Sequence, residues 1–165
     1  MSLSLSFATA ENVPALCELF LEYNRELQGF GMNYSLVEES LPSSIQGKIR
    51  SRMNLCAVAK EGEALVGFLF CSINRLSGFS YEGSPVFGYI SDSYVSPQYR
   101  GKGLGSALCR MALDWLGENH VNYVELKVLE QNANAHSFWQ RQGFSPATRV
   151  YGKRIIKTEV QNHEF

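Results

Sequence analysis

Tyr94-Val-Ser-Pro-Gln-Tyr-Arg100-Gly-Lys-Gly-Leu-Gly105-Ser-Ala-Leu108 is the stretch whose reading decides the fold. An apolar run, Val86 to Val95, leads into it. Pro97 ends that strand, because proline has no N–H to donate and pushes Ser96 away from helix. Glycines then hold alternate positions, Gly101, Gly103 and Gly105, and Leu104, Ala107, Leu108, Met111, Ala112, Trp115 and Leu116 recur at helical spacing. The order is strand, glycine-rich turn, helix. The first N–H groups of such a helix have no intrahelical acceptor and the positive end of its dipole lies behind them, so the turn suits an anion such as phosphate. The plainer alternative is a glycine turn that caps an ordinary helix.

Spacing separates the phosphate-binding loops. A P-loop needs Gly-x-x-x-x-Gly-Lys-Ser/Thr, whereas Lys102 lies between glycines with no Ser or Thr after it. A dinucleotide fingerprint is Gly-x-Gly-x-x-Gly early in a chain; here the pattern is Gly-x-Gly-x-Gly and late. Arg100-Gly101-Lys102-Gly103-Leu104-Gly105 resembles the acyl-CoA loop, Gln/Arg-x-x-Gly-x-Gly/Ala, of the GCN5-related N-acetyltransferase (GNAT) family.

The 165 residues suit one domain, 1–165, with its own core. Apolar residues make up 45% and charged residues 19%, ordinary globular composition. A net charge of −1 gives no reason to expect nucleic acid or an anionic membrane as partner. No apolar run reaches membrane-span length and no secretory segment opens the chain, so a cytoplasmic protein is the default expectation. Cys17, Cys56, Cys71 and Cys109 are widely spaced within apolar segments, which favours buried free thiols over disulfides or a metal site.

Taken in order, Leu3, Leu5 and Phe7 alternate with serine as a first strand, and Thr9 or Asn12 can cap a helix with Pro14 in its first turn. That helix ends near Gln28-Gly29-Phe30-Gly31, and a second amphipathic piece spans Ser35 to Arg52; the link between them, Gly29 to Tyr34, walls a substrate site or simply joins two helices. Strands follow at Leu55–Lys60 and Ala64–Asn74, joined by Glu61-Gly62-Glu63. Leu76 to Pro85 reads as a loop, Asn122 to Leu129 as a strand, and Phe144 onward as one or two final strands. A second motif, Asn132-x-x-Ala135-x-x-Phe138-Trp139-x-x-x-Gly143-Phe144, is similar to the family's Asn-x-x-Ala-x-x-Phe-Tyr-x-x-x-Gly-Phe. The resemblance implies an α/β (α+β) fold, a mixed central sheet of about six to seven strands flanked by about four helices.

It also implies chemistry: acetyl transfer from acetyl-CoA to an amine by direct attack in a ternary complex, with no metal. Backbone N–H groups from Arg100 through Gly101, Lys102, Gly103, Leu104 and Gly105 to Ser106 would cradle the pyrophosphate. The strand at Tyr94 and Val95 would pair with the pantetheine arm and offer an N–H to the thioester oxygen. Asn132 would contact the pantetheine. Many relatives carry Glu-Asp before the loop; here the pair is Ser91-Asp92, so Asp92 is the leading carboxylate, with Ser91 holding a water, or else Asp92 only orders the sheet. Glu125 and Tyr89 are outside candidates. Trp139 stands where the family has an acid tyrosine; indole cannot protonate a thiolate, so it packs on the acyl-CoA or in the core, and water, the acceptor's own ammonium proton or a displaced tyrosine such as Tyr151 would fill in. A homodimer is expected at family level only. The acceptor is not specified, and a non-catalytic acyl-CoA-binding module or a nucleotide-binding regulatory domain are the rival readings.

Overall fold

A computed structural model of the chain describes residues 2–76 and 85–155. Leucine and phenylalanine alternate with serine in β1 (Leu3–Phe7). Thr9 and Asn12 then tie off a single 3-10 turn, the Thr9 N–H donating to Asn12 Oδ1 at 2.9 Å. This launches α1 (Val13–Gly29), with Pro14 in the first turn, where its missing N–H costs nothing. α2 (Leu41–Arg50) starts later than the Ser35 expected, because Pro42 can sit no deeper than a first turn. β2 (Asn54–Glu61) and β3 (Ala64–Arg75) form a hairpin whose turn places Gly62 at φ 59°. β4 (Val86–Val95), α3 (Leu104–Glu118), β5 (Val124–Leu126) and α4 (Ala133–Arg141) follow.

The strands lie in the order β1-β2-β3-β4-β5, antiparallel except for the parallel pair β4–β5. The sheet is buried on both faces, and β2 shows why. Leu55, Ala57 and Ala59 join Leu104, Leu108, Cys109, Ala112 and Leu116 of α3 in one apolar layer. Cys56 and Val58 between them join Leu16 and Leu19 of α1 and Leu41 and Ile45 of α2 in the other. Leu108 and Phe68, both fully buried, mark the two layers, and truncating either to Ala should cost about 2–5 kcal/mol.

The described residues hold five strands, fewer than the six to seven expected. Residues from Phe144 to Ile155 form no strand: Pro146 cannot donate to a ladder, and Val150, Tyr151 and Ile155 stand exposed. Residues 156–165, and 77–84 of the loop expected after Leu76, lie outside the described residues. The strand expected at Asn122–Leu129 shrinks to Val124–Leu126. Cys56, Cys71 and Cys109 are free and buried, burial pushing their thiols up to about 11, 12 and 11; Cys17 is free and half-buried.

Candidate active site

The glycine turn opens α3 without a side-chain cap. Gly101 (φ 77°) and Gly103 (φ 82°, the N-cap) are left-handed, and a side chain built on either would meet nothing within 4 Å. Glycine is therefore required there by backbone conformation, and the surface around it is open. The first helical bond runs from the Ala107 N–H to the Gly103 carbonyl at 3.0 Å, so the N–H groups of Leu104, Gly105 and Ser106 precede the ladder. Leu104 anchors the turn in the core.

Gly105 serves a different end. A Cβ there would sit 3.2 Å from the Phe138 ring, so this glycine lets α4 approach α3. Gln142 Nε2 donates to Ser106 Oγ at 3.0 Å across the same contact. The two sequence motifs are thus packed into one another. Arg100 is also committed: Nε donates to the Val95 carbonyl at 2.7 Å, Nη2 meets Glu26 Oε2 at 2.6 Å, and the guanidinium lies over the Tyr94 ring. It braces the turn against α1. Lys102 rests 4.9 Å from the centroid of Tyr99, whose hydroxyl donates to Glu61 at 2.5 Å.

Next to the turn, β4 and β5 part. They pair only at Gly88–Val124, Tyr89–Glu125 and Ile90–Leu126, so among the described residues Ser91 to Val95 have no partner strand on that side. The parting begins at a β-bulge. Asp92 pairs with Phe70 while Ile90 pairs with Cys71, which leaves Ser91 as the extra residue. One extra residue reverses the alternation of faces. Ile90 packs in the α3 layer, yet Tyr94, four residues on, packs in the α1/α2 layer. Asp92 shares the Tyr94 face.

On that face Asp92 meets groups from both helices. Burial holds its carboxyl above the usual range, against the lowering pull of the Ser91 hydroxyl and the Lys48 charge from α2. Burial, with the Asp92 charge next, raises the Tyr23 phenol of α1 well above its ordinary value. Tyr89 is raised by burial, then by Asp92 and Glu125. Tyr94 is buried, and its hydroxyl donates to Glu22 Oε2 at 3.3 Å. Tyr23 and Lys48 escape sequence reasoning because nothing in α1 or α2 marks which residues face Asp92.

Of the remaining candidates, Asn132 caps α4, its Oδ1 accepting from the Ala135 N–H at 3.1 Å. Trp139 is buried in the α3 layer, its ring centroid 4.9 Å from that of Phe138 and 5.3 Å from that of Phe144. Tyr151 is 85% exposed on the coil beyond α4. The α1–α2 link is tied back by Gln28 Nε2 donating to the Tyr34 carbonyl at 2.8 Å, and Gly31 faces Gln131 just before α4. Among the described residues no cluster of His, Cys, Asp or Glu could hold a metal, and no helix is long and apolar enough to cross a membrane.

Comparison with known proteins gives concordant matches. The model of the acetyltransferase (GNAT) family matches residues 13–144. An N-acetyltransferase of Methanocaldococcus jannaschii, named as uncharacterized, is 32% identical over 93 residues, 56% of this chain and 40% of its own. Streptothricin acetyltransferase A of Bacillus subtilis is 34% identical over 94 residues, 56% of this chain and 53% of its own. The chain spans about half the length of the curated relatives it matches. The crystal structure of aminoglycoside 6'-N-acetyltransferase AAC(6')-Ig from Acinetobacter haemolyticus superposes with a TM-score of 0.74 at 19% identity, over 93% of this chain and 99% of that one, which is a likeness of fold.

Proposed function

The chain belongs to the acetyltransferase (GNAT) family, and from that premise we propose that it transfers the acetyl group of acetyl-CoA to an amine by direct attack in a ternary complex. One observation carries the reading: the uncapped N-terminus of α3 lies beside a strand, β4, whose Ser91–Val95 stretch has no partner strand on one side among the described residues. An anion-binding turn next to an unpaired strand edge suits a donor with a pyrophosphate at one end and an amide-bearing arm at the other. The N–H groups of Leu104, Gly105 and Ser106 take the pyrophosphate. The free β4 edge at Tyr94 and Val95 takes the arm, and an N–H of that edge stabilises the oxyanion as it forms.

The acceptor enters from the α1/α2 face, where Asp92 stands. An alkyl amine of pKa about 10.4 is almost wholly protonated at neutral pH, so a base is needed before it can attack. Asp92 has the right sign of perturbation: raised by burial, its carboxylate is a better base than an exposed aspartate. It takes the ammonium proton, directly or through a water on Ser91. The amine nitrogen then attacks the thioester carbon, the C–S bond breaks as the tetrahedral intermediate collapses, and the second amine proton passes to water or to the CoA thiolate once it has departed. A thiolate of pKa about 8.5 leaves without an acid, so Trp139 in the tyrosine position is compatible with turnover. Tyr23 and Tyr89, raised and therefore neutral, position the acceptor as hydrogen-bond donors. Asp92 and the exposed Glu125 favour a cationic acceptor, in line with the streptothricin and aminoglycoside enzymes among the relatives and fold neighbours.

The test is CoA release from acetyl-CoA with a panel of streptothricin, aminoglycosides, polyamines and lysine or N-terminal peptides. Saturable release with at least one amine, with the acetylated product seen by mass spectrometry, is expected. Stabilisation by acetyl-CoA with no turnover of any amine would replace the enzyme with a binding module.

A further inference from the structure

Along a strand, successive residues turn their peptide groups to opposite edges, so hydrogen bonding to one neighbour alternates. Ser96, just past the end of β4, donates its N–H to the Val66 carbonyl at 2.9 Å, so its peptide groups face β3. In the same register Tyr94, opposite Phe68, also faces β3. Ser93 and Val95 therefore turn their N–H and carbonyl groups to the side that has no partner strand among the described residues. One of those outward groups is already taken: the Val95 carbonyl accepts from Arg100 Nε at 2.7 Å. The same guanidinium gives Nη2 to Glu26 Oε2 of α1 at 2.6 Å and lies 5.4 Å from the centroid of the Tyr94 ring. One helical turn earlier on α1, Glu22 Oε2 accepts from the Tyr94 hydroxyl at 3.3 Å.

We propose that Arg100 is a positioning residue: by capping the Val95 carbonyl it closes the turn end of the open β4 edge and fixes where the donor's amide-bearing arm pairs. This rests on the reading of that edge as the arm's seat. An extended arm needs an acceptor for its amide N–H and a donor for its carbonyl. With the Val95 carbonyl occupied, the acceptor left between Ser93 and Val95 is the Ser93 carbonyl. The Val95 N–H stays open for a carbonyl oxygen of the donor. A freed Val95 carbonyl would offer a second register two residues nearer the turn, about 7 Å away at about 3.4 Å per residue. That slip would draw the thioester back from Asp92, and misplacement by about 1 Å can already cost about 10²-fold in rate. A phosphate ligand would act differently, on the affinity for the nucleotide end of the donor.

The test compares the wild type with Arg100→Met and Arg100→Lys in two measurements. One is turnover of acetyl-CoA with the fastest amine of the panel; the other is calorimetric binding of adenosine 3'-phosphate 5'-diphosphate, the nucleotide half of CoA. Arg100→Met keeps an apolar stem beside Tyr94 and loses the donors. It should lower kcat by about tenfold to 10²-fold, while the nucleotide half binds within about twofold of wild type. Arg100→Lys should restore part of kcat, since its ammonium can still donate to the Val95 carbonyl. Glu26→Ala leaves Arg100 in place without its α1 partner, should lower kcat by a smaller factor, and decides the matter if Arg100→Met folds poorly. A loss of about tenfold or more in nucleotide affinity for Arg100→Met would make Arg100 a phosphate ligand. Unchanged kcat in both Arg100→Met and Glu26→Ala would make it a brace alone. Either result overturns the proposal. A wild-type chain that turns over no amine would instead sink the reading of the site, and the proposal with it.

Discussion

The turn before α3 and the carboxylate face of β4 are neighbours, yet they are encoded in different ways. The turn is contiguous: Gly101 and Gly103 need left-handed backbone, Gly105 must clear Phe138, and each demand falls on the residue that meets it. The acceptor face is assembled from Tyr23, Lys48, Tyr89 and Asp92, on three elements, and is aimed by one extra residue at Ser91. Backbone chemistry of this kind is written locally. The face that a strand residue presents depends on register, which a one-residue bulge can reverse.

The largest expected effect would break the carboxylate side alone. Asp92→Asn should lower kcat by about 10²–10⁴-fold while acetyl-CoA affinity stays unchanged. In the wild type the rate should rise as pH rises through the elevated Asp92 pKa; in the variant the dependence should shift toward the amine's own deprotonation at high pH. An unchanged pH–rate profile would reduce Asp92 to a sheet-ordering residue. Stability should move the opposite way. A carboxyl raised on folding binds its proton more tightly in the folded state, so its ionised form works against folding at neutral pH and the cost is relieved as pH falls through the folded pKa. Asp92→Asn should therefore raise the melting temperature at pH 7, with the gain shrinking in acid.

A smaller effect belongs to the contact between the two motifs. Gly105→Val drives a branched side chain into Phe138, already 3.2 Å from a Cβ, and should cost about 1–3 kcal/mol by denaturant melting. A neutral result would mean that α4 can withdraw freely. Smallest of all, Trp139→Phe should keep most activity and lose under about 1.5 kcal/mol of stability, because the indole packs between Phe138 and Phe144. Loss of several hundredfold in rate with acetyl-CoA affinity and melting temperature intact would show that the indole N–H takes part in the chemistry.

The fold was legible where periodicity and turn chemistry agreed. The 3.6-residue repeat from Leu104 to Leu116 and the Glu61-Gly62-Glu63 turn lead directly to α3 and the β2–β3 hairpin. Of the one or two strands expected from Phe144 onward, none forms as far as Ile155, where Val150 and Ile155 stand exposed, and residues 156–165 lie outside the described residues. At the site, the motifs located the turn but not the division of labour within it. The Arg100 N–H, expected in the phosphate cradle, instead donates to the Pro97 carbonyl at 3.2 Å; its side chain is held by Glu26, 74 positions away, and Gly105 also clears the way for Phe138. Contacts between residues so distant in sequence leave no local trace.

The central claim, that the open turn before α3 holds the donor, is tested most directly by calorimetric titration of acetyl-CoA into the wild-type protein and Gly103→Val. A branched residue at φ 82° strains the turn and projects into the open space where the phosphates would lie. The wild type should bind, and the variant should bind at least about tenfold more weakly while its circular dichroism spectrum is unchanged. Equal affinity in the two proteins would place the donor elsewhere and contradict the account.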